Sequence, residues 1–137
     1  VQAGELVVDL GAGSGALTRP LVETGARVLA VELHARRVAD LRASAPGATV
    51  VCCTIEDFRF PRRPFRVVAN PPFSQSSSIV RRLLDERLTE AHLVVPVQVA
   101  QRWQRKRPGR CSYRRLPRSA FRPAAPVPTA VLHLRRR

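Results

Sequence analysis

A chain of 137 residues with 24 Lys+Arg against 10 Asp+Glu is long enough for one domain with a real core, and it carries a formal charge of +14. No apolar run nears the ~18 residues of a membrane span and no signal-like segment opens the chain, so the reading is a cytoplasmic protein with no membrane partner. Cys52, Cys53 and Cys111 show neither metal-ligand spacing nor an even-numbered disulfide framework, and His34, His92 and His133 are scattered, so reduced thiols and no metal site are expected.

The charge is unevenly spread. Residues 1–90 hold 12 Lys+Arg and 10 Asp+Glu, whereas residues 91–137 hold 12 Lys+Arg and no acid. A stretch of one sign is drawn to polyanions, nucleic acid foremost. Of the 24 cations 23 are Arg, a bias that explains Arg over Lys but not the missing acids. The chain contains no Met and its first strand begins almost at once, which suggests a fragment.

In chain order, Leu6–Leu10 is an apolar run that predicts a strand. GAGSG follows, then ALTRPLVETGA, where Leu17, Leu21 and Val22 sit at helical spacing and Gly25 marks the stop. Pro20 is tolerated because it falls in the first turns of that helix. Residues 27–33, RVLAVEL, form a second strand, and HARRVADLRASAPG puts Val38 and Leu41 on one helical face before Pro46-Gly47 closes it. Residues 49–55, TVVCCTI, predict a third strand and Phe65–Ala69, FRVVA, a fourth. SSSIVRRLLDERL has Ile79, Leu83, Leu84 and Leu88 at helical intervals; residues 92–95 predict a fifth strand and residues 97–107 a basic helix. Beyond Pro108-Gly109 the pattern decays into an Arg- and Pro-rich stretch and recovers at residues 131–134, VLHL, a late strand. The alternation of strands and helices predicts an α/β domain, a doubly wound, mostly parallel sheet over residues 1–137 whose strands are apolar throughout. In such sheets ligands sit at the carboxyl ends of the strands.

Two motifs fall at those ends. Asp9-Leu-Gly11-Ala-Gly13-Ser-Gly15 follows the first strand, where glycines let the chain turn sharply and let a ligand touch backbone. Gly11-x-Gly13-x-x-Ala16 also satisfies a relaxed dinucleotide fingerprint, and Glu32, ending the second strand, suits ribose hydroxyls in either case. Asp9 tilts the choice, because a carboxylate beside the glycines repels a pyrophosphate and suits a cationic ligand such as S-adenosylmethionine; its plainer role is a structural helix cap. The second motif, Asn70-Pro71-Pro72-Phe73, ends the fourth strand and resembles the (N/D)-P-P-(Y/F) tetrapeptide of methyltransferases that modify exocyclic amines. Prolines carry no N–H, so the turn offers carbonyl acceptors without a competing donor. The Asn70 side chain and the Pro71 carbonyl would accept the two hydrogens of an adenine amine and stabilise the charge developing on nitrogen, while Phe73 stacks on the extruded base.

With these residues the chain resembles the erythromycin-resistance (Erm) family of 23S rRNA adenine dimethyltransferases, whose relatives are the 16S rRNA adenine dimethyltransferases. The segments that carry the resemblance are GELVVDLGAGSGALT, VLAVELH, RPFRVVANPPF, LVVPVQVAQRW and the late SAFRPAAPVPTAVLHLRRR, with Phe121, Pro123, Pro126, Val127, Thr129 and Ala130 in the family's pattern. The resemblance implies a Rossmann-like class I S-adenosylmethionine-dependent methyltransferase, truncated at both ends and acting as a monomer. The cofactor would lie along Asp9, Gly11, Gly13 and Glu32, with its adenine near Thr54 and Ile55, and Asn70 would face both cofactor and target. Asn70, Pro71 and Phe73 would hold an adenine of 23S rRNA, whose methylation blocks macrolides, lincosamides and streptogramin B. The basic segment 102–118 is the expected RNA surface, through Arg102, Trp103, Arg105, Lys106, Arg107, Arg110, Arg114 and Arg115, with Trp103 and Tyr113 stacking on bases; Trp103 alternatively packs in the core.

The departures from the family are specific. Thr54 stands where an acid usually accepts from the cofactor's adenine amine, with Glu56 and Asp57 as nearby substitutes. Pro96, Val97 and Gln98 replace Gln-(Lys/Arg)-Glu, and residues 110–116 look too short and too charged for the usual sixth strand, which would leave an exposed edge. These departures motivate a truncated, non-catalytic RNA-binding relative as the alternative, with a 16S rRNA adenine dimethyltransferase beside it; a DNA adenine methyltransferase is the third reading.

Overall fold

The computed structural model describes residues 1–84, 86–121 and 125–136; Pro123 of the late motif lies outside the described residues, as does position 85 within the predicted third helix. Among the described residues there are seven strands and four α-helices. They run β1 (Leu6–Leu10), α1 (Thr18–Glu23), β2 (Arg27–Glu32), α2 (Ala35–Ser44), β3 (Thr49–Cys52) and β4 (Phe65–Ala69). A 3-10 turn (Phe73–Gln75) then leads into α3 (Ser76–Leu84), β5 (Leu88–Pro96), α4 (Val97–Lys106), β6 (Cys111–Arg115) and β7 (Thr129–Arg135). The sheet order is β3-β2-β1-β4-β5-β7-β6, with β1 to β5 parallel and β7 antiparallel to both its neighbours.

Helices cover both faces, but not equally. Ile79, Val80 and Leu83 of α3 and Val97, Ala100 and Trp103 of α4 pack on Phe65, Val67, Leu93, Val95, Leu132 and Leu134, forming the main core. On the other face Leu21 of α1 meets Val7 and Val28, and Leu41 of α2 meets Ala30. Those two helices cover mainly the β3-β2-β1 half, with Val68 of β4 at the margin of the α1 cluster. β1 is buried nearly throughout and β2 over its second half, β3 is an edge strand with no fully buried residue, and β4 and β5 alternate, with Arg66, Val68, Glu90 and His92 half-buried on the less covered face. The expectation of uniformly apolar strands therefore holds for β1 and fails for β4 and β5.

That open face also corrects the reading of the histidines as scattered. His92 and His133 are cross-strand partners in the β5–β7 ladder, and their rings stack at 4.4 Å between centroids and 12° apart. His133 Nε2 is hydrogen-bonded to Glu90, whose other oxygen accepts from Arg66, and Arg66 also pairs with Glu5 at 3.2 Å. Glu90, His92 and His133 bring ligand-type atoms within 4.8 Å of one another. Both Glu90 oxygens are already engaged, and face-to-face rings do not converge on one ion, so the cluster is an ion-pair network.

The missing sixth strand is the second correction. Cys111–Arg115 pairs antiparallel with β7 in full register. Cys111 and Tyr113 turn toward the core while Ser112, Arg114 and Arg115 are exposed, so the charge is that of an edge strand, where Arg and Lys discourage pairing with another chain. Two boundaries also moved. β3 ends at Cys52 rather than residue 55, and β5 begins at Leu88, which the helical spacing had assigned to α3. Among the described residues no helix is long and apolar enough to cross a membrane.

Candidate active site

At the carboxyl end of β1 the chain leaves the sheet at Gly11, whose φ of 71° glycine adopts without strain. A Cβ there would stand 3.3 Å from Pro72 Cδ, 3.6 Å from Ile55 Cδ1 and 3.7 Å from the Pro71 Cα. Three loops thus converge on one residue that has no side chain: the glycine loop, the loop after β3 and the turn after β4. The N–H groups of Gly11 and Ala12 donate to the Val31 carbonyl at 2.9 and 3.0 Å, fastening the loop to β2. Glu32 ends β2 and is 5% exposed. Its two carboxylate oxygens accept from the N–H of Gly13 at 2.8 Å and of His34 at 2.9 Å. Burial pushes the Glu32 carboxyl up, but these N–H donors and the Arg37 charge outweigh it and hold it below the usual carboxylate range. The end of β2 is therefore anionic at neutral pH.

Asp9 sits behind this loop. It is 1% exposed and accepts from the Thr18 hydroxyl, at the start of α1, at 2.8 Å. Burial pushes its carboxyl up to about 6; the Thr18 bond lowers it in part, and the nearby Glu32 charge raises it further. Asp9 does not line the cavity described next, so the structure does not place it where the expected direct contact with a cationic ligand would be made. Gly13 likewise acts by its bond to Glu32 rather than as a lining residue.

A cavity of about 410 Å³ opens at the carboxyl ends of β1, β2, β3 and β4. Gly11, Glu32, Thr54, Ile55 and Asn70, expected at the cofactor, and Pro71, expected at the target base, all line it. Asn70 is exposed at its mouth and Pro71 is buried. Thr54 has a second engagement, since its hydroxyl accepts the Asp57 N–H at 3.0 Å and so caps its own loop. Of the two nearby acids Glu56 lines the cavity and Asp57 does not. The turn of residues 70–73 then crosses to a second space. Phe73 and Ser74 line a more apolar groove of about 660 Å³ together with Pro96, Val97, Arg102, Arg115 and residues 126–128. One turn is the wall between two cavities.

Residues 1–122 match the family described as Ribosomal RNA adenine dimethylase. The chain belongs to that family. An rRNA adenine N-6-methyltransferase of Corynebacterium diphtheriae is 33% identical over 149 residues, covering 95% of this chain and 57% of that protein. Ribosomal RNA small subunit methyltransferase A of Leifsonia xyli is 38% identical over 113 residues, covering 74% of this chain and 40% of its own length. The crystal structure of the 23S rRNA methyltransferase ErmE superposes with a TM-score of 0.85 at 25% identity, covering all of this chain and 63% of that one. The chain thus spans about half the length of the curated relatives it matches.

Ribosomal RNA adenine dimethylases use S-adenosylmethionine, and this cavity fits it on two observations. Gly11 leaves open the point where a side chain would fill the floor. Ionised Glu32 supplies acceptors at the end of β2, in a volume within the ~300–1,000 Å³ of small-molecule sites. Sequence reasoning missed Arg37, Cys53 and Gln75 as lining residues; of these only Arg37, five residues past Glu32 on α2, carried a signal, as a cation next to a strand-end acid.

The expected RNA surface is divided by the fold. Trp103 is 4% exposed and packs in the main core, with its Nε1 lacking a partner among the described residues, which overturns its stacking role. Its helical face, Val97, Ala100 and Trp103, is the buried one. Arg102 and Arg115 flank the groove beside Phe73. Arg105, Lys106 and Arg107 lie at the far end of α4, about 15 Å of helix from its start at ~1.5 Å per residue, and Lys106 caps the Trp103 ring at 5.1 Å. Arg110 is tied to the carbonyls of Arg135 at 3.1 Å and Leu84 at 3.3 Å, at the opposite end of the sheet from Asn70. Arg114 pairs with Val131 and alternates onto the open face.

Proposed function

We propose that this chain methylates N6 of an adenine in 23S rRNA, acting as a cytoplasmic monomer, and so confers resistance to macrolides, lincosamides and streptogramin B. The observation that carries the reading is the wall formed by the turn: Asn70, Pro71 and Pro72 line the cavity with Gly11 and Glu32, while Phe73 faces the groove with Arg102 and Arg115. A base held against that wall is within reach of both spaces. S-adenosylmethionine, when bound, supplies an electrophilic methyl group on a sulfonium. The residues of the chain do the rest. Asn70 accepts from the exocyclic amine and turns its lone pair out of the ring, and the Asn70 dipole stabilises the positive charge that grows on nitrogen. Phe73 stacks on the extruded base, and Arg102 and Arg115 hold the flanking phosphates. Glu56 takes the place of the family's acid toward the cofactor's adenine, beside Thr54. Against the non-catalytic alternative speaks the gathering of Gly11, Glu32, Thr54, Ile55 and Asn70 around one cavity, with Phe73 on the far side of the same turn.

Purified protein with labelled S-adenosylmethionine should mark 23S rRNA in preference to 16S rRNA, the substrate class of the small-subunit relative, and duplex DNA. Asn70→Ala should lower the rate by about 10²-fold or more, the scale for removing one oriented polar partner of a transition state. Labelling that survives Asn70→Ala overturns the assigned roles, and preferential labelling of 16S rRNA moves the substrate to the small subunit.

A further inference from the structure

The loop from β3 to β4 supplies Thr54, Ile55 and Glu56 to the cavity, yet it leaves the sheet at Cys52 and has no ladder to hold it. Its own bonds are local: Phe58 N–H donates to the Thr54 carbonyl at 3.1 Å, and Phe58 and Phe60 anchor it in the core against Phe65. The remaining ties come from α3. Arg82 Nη1 donates to the Ile55 carbonyl and Nη2 to the Phe58 carbonyl, each at 2.6 Å, and the guanidinium carbon lies 4.7 Å over the Phe60 ring. Arg82 is half-buried, so these charge-assisted bonds are only partly screened. A guanidinium fork suits two carbonyls three residues apart, whereas an ammonium is a point charge. The same helix begins directly after the turn that carries Asn70 and Phe73, with the Gln75 N–H donating to the Pro72 carbonyl at 3.0 Å. One rigid element therefore bears the base-holding turn at its start and a clamp on the opposite wall of the cavity two turns later.

We propose that Arg82 is a positioning residue that sets the cofactor-facing loop of residues 53–58 in register with the turn of residues 70–73. It touches neither ligand and acts through the Ile55 and Phe58 carbonyls. The proposal rests on the reading of the cavity as the S-adenosylmethionine site. Without the fork, Ile55 and Glu56 lose their fixed distance from Gly11 and Asn70, and the cavity must be rebuilt each time a ligand enters. The groove side, with Phe73 and Arg102, keeps its geometry because α3 and α4 remain packed.

The test is calorimetric binding of S-adenosylhomocysteine to the wild-type chain and to Arg82→Ala and Arg82→Lys, with amide hydrogen exchange over residues 54–60 and RNA binding without cofactor on the same proteins. Arg82→Ala should weaken the cofactor product at least about tenfold, equivalent to about 1.4 kcal/mol. Amide exchange at Asp57 and Phe58 should quicken, and RNA affinity should stay within about twofold. Arg82→Lys keeps the charge and one carbonyl partner, and should recover part of the loss; it also serves if the alanine variant does not fold. Unchanged cofactor affinity in a folded Arg82 variant overturns the positioning role and leaves the proposed function standing. Absence of binding by the wild-type chain overturns the cofactor reading itself, and the positioning role with it. A loss of RNA affinity as large as the loss of cofactor affinity assigns Arg82 to general stability instead.

Discussion

Replacing Asp9 with Asn removes one ionisable group from behind the glycine loop and changes the side-chain volume little. In the unfolded chain the carboxyl titrates near 3.8, and in the fold at about 6, because burial outweighs the Thr18 hydrogen bond. Between those values the native state holds the proton more firmly than the unfolded chain. Stability from this group is thus full at low pH, is lost as pH rises through that window, and is level above it, where both states are ionised. At about 1.4 kcal/mol per pH unit the loss is on the order of 3 kcal/mol. Asn has no such dependence. Its amide oxygen still accepts from Thr18, and its NH₂ group needs an acceptor, which adds an offset that does not vary with pH. The informative quantity is therefore the slope. In urea unfolding of the ligand-free proteins, the stability of Asp9→Asn minus that of wild type should rise by on the order of 2–3 kcal/mol between about pH 4 and about pH 8. Glu5, Glu32 and Glu90 titrate in both proteins and cancel to first order. A difference that stays flat over that range would refute the account of Asp9 as a buried acid that the fold carries at a cost.

Gly11→Ala should weaken S-adenosylhomocysteine binding at least about tenfold, because its Cβ would press on Pro72 and Ile55. Gly4→Ala is the control, since Gly4 has φ of 81° with nothing within 4 Å; it should lose about 1–2 kcal/mol of stability and leave binding unchanged. Trp103→Ala should cost about 3–5 kcal/mol in chemical denaturation, as a core truncation, whereas Trp103→Phe should leave RNA affinity within about twofold; a large loss of RNA affinity in the Phe variant would restore the stacking role. The double change Arg102→Ala with Arg115→Ala should flatten the salt dependence of RNA binding by about 1.4 in the log–log slope, at about 0.7 per single-strand phosphate contact. Arg105→Ala with Lys106→Ala should move it far less.

The site was legible where its chemistry is local. A strand ending in glycines, an acid ending the next strand and an amide followed by two prolines each state their conformational need within a few residues, and all three came to one cavity. Long-range geometry was not legible. His92 and His133 lie far apart in sequence and meet because β7 runs antiparallel between β5 and β6. The arginines of β6 hid an alternating pattern in which Cys111 and Tyr113 face inward. Trp103 was readable either way: Val97, Ala100 and Trp103 repeat at threefold spacing on one helical face, which favours the core alternative, while the basic neighbours favoured the RNA surface. The run of residues 49–55 was continued too far because apolar periodicity does not mark where a strand leaves its sheet, and Cys53 to Ile55 leave it to line the cavity. Arg82 carried no sequence signal, since what it binds is backbone.

The wall between the two spaces also bears on how a target would be chosen. Residues 70, 71, 72 and 75 face the cavity while residues 73 and 74 face the groove, so the chain changes sides within one 3-10 turn. Two prolines and the bond from Gln75 to Pro72 make that turn stiff, and α3 follows it without a break. A base inside a helical stack cannot present its amine to Asn70 and its ring to Phe73 together, and extrusion is least costly where the nucleotide is already unpaired. Among the described residues the groove is lined by two cations, Arg102 and Arg115, together with the apolar Pro96, Val97 and Val127. That arrangement favours a strand that crosses the groove with its bases turned down over one that runs along α4 with its phosphates on Arg105 and Arg107. Under the proposed function, selection of a single adenine would follow from the shape of an unpaired segment, and the clustered charge of the chain's second half would set the strength of capture more than the choice of site.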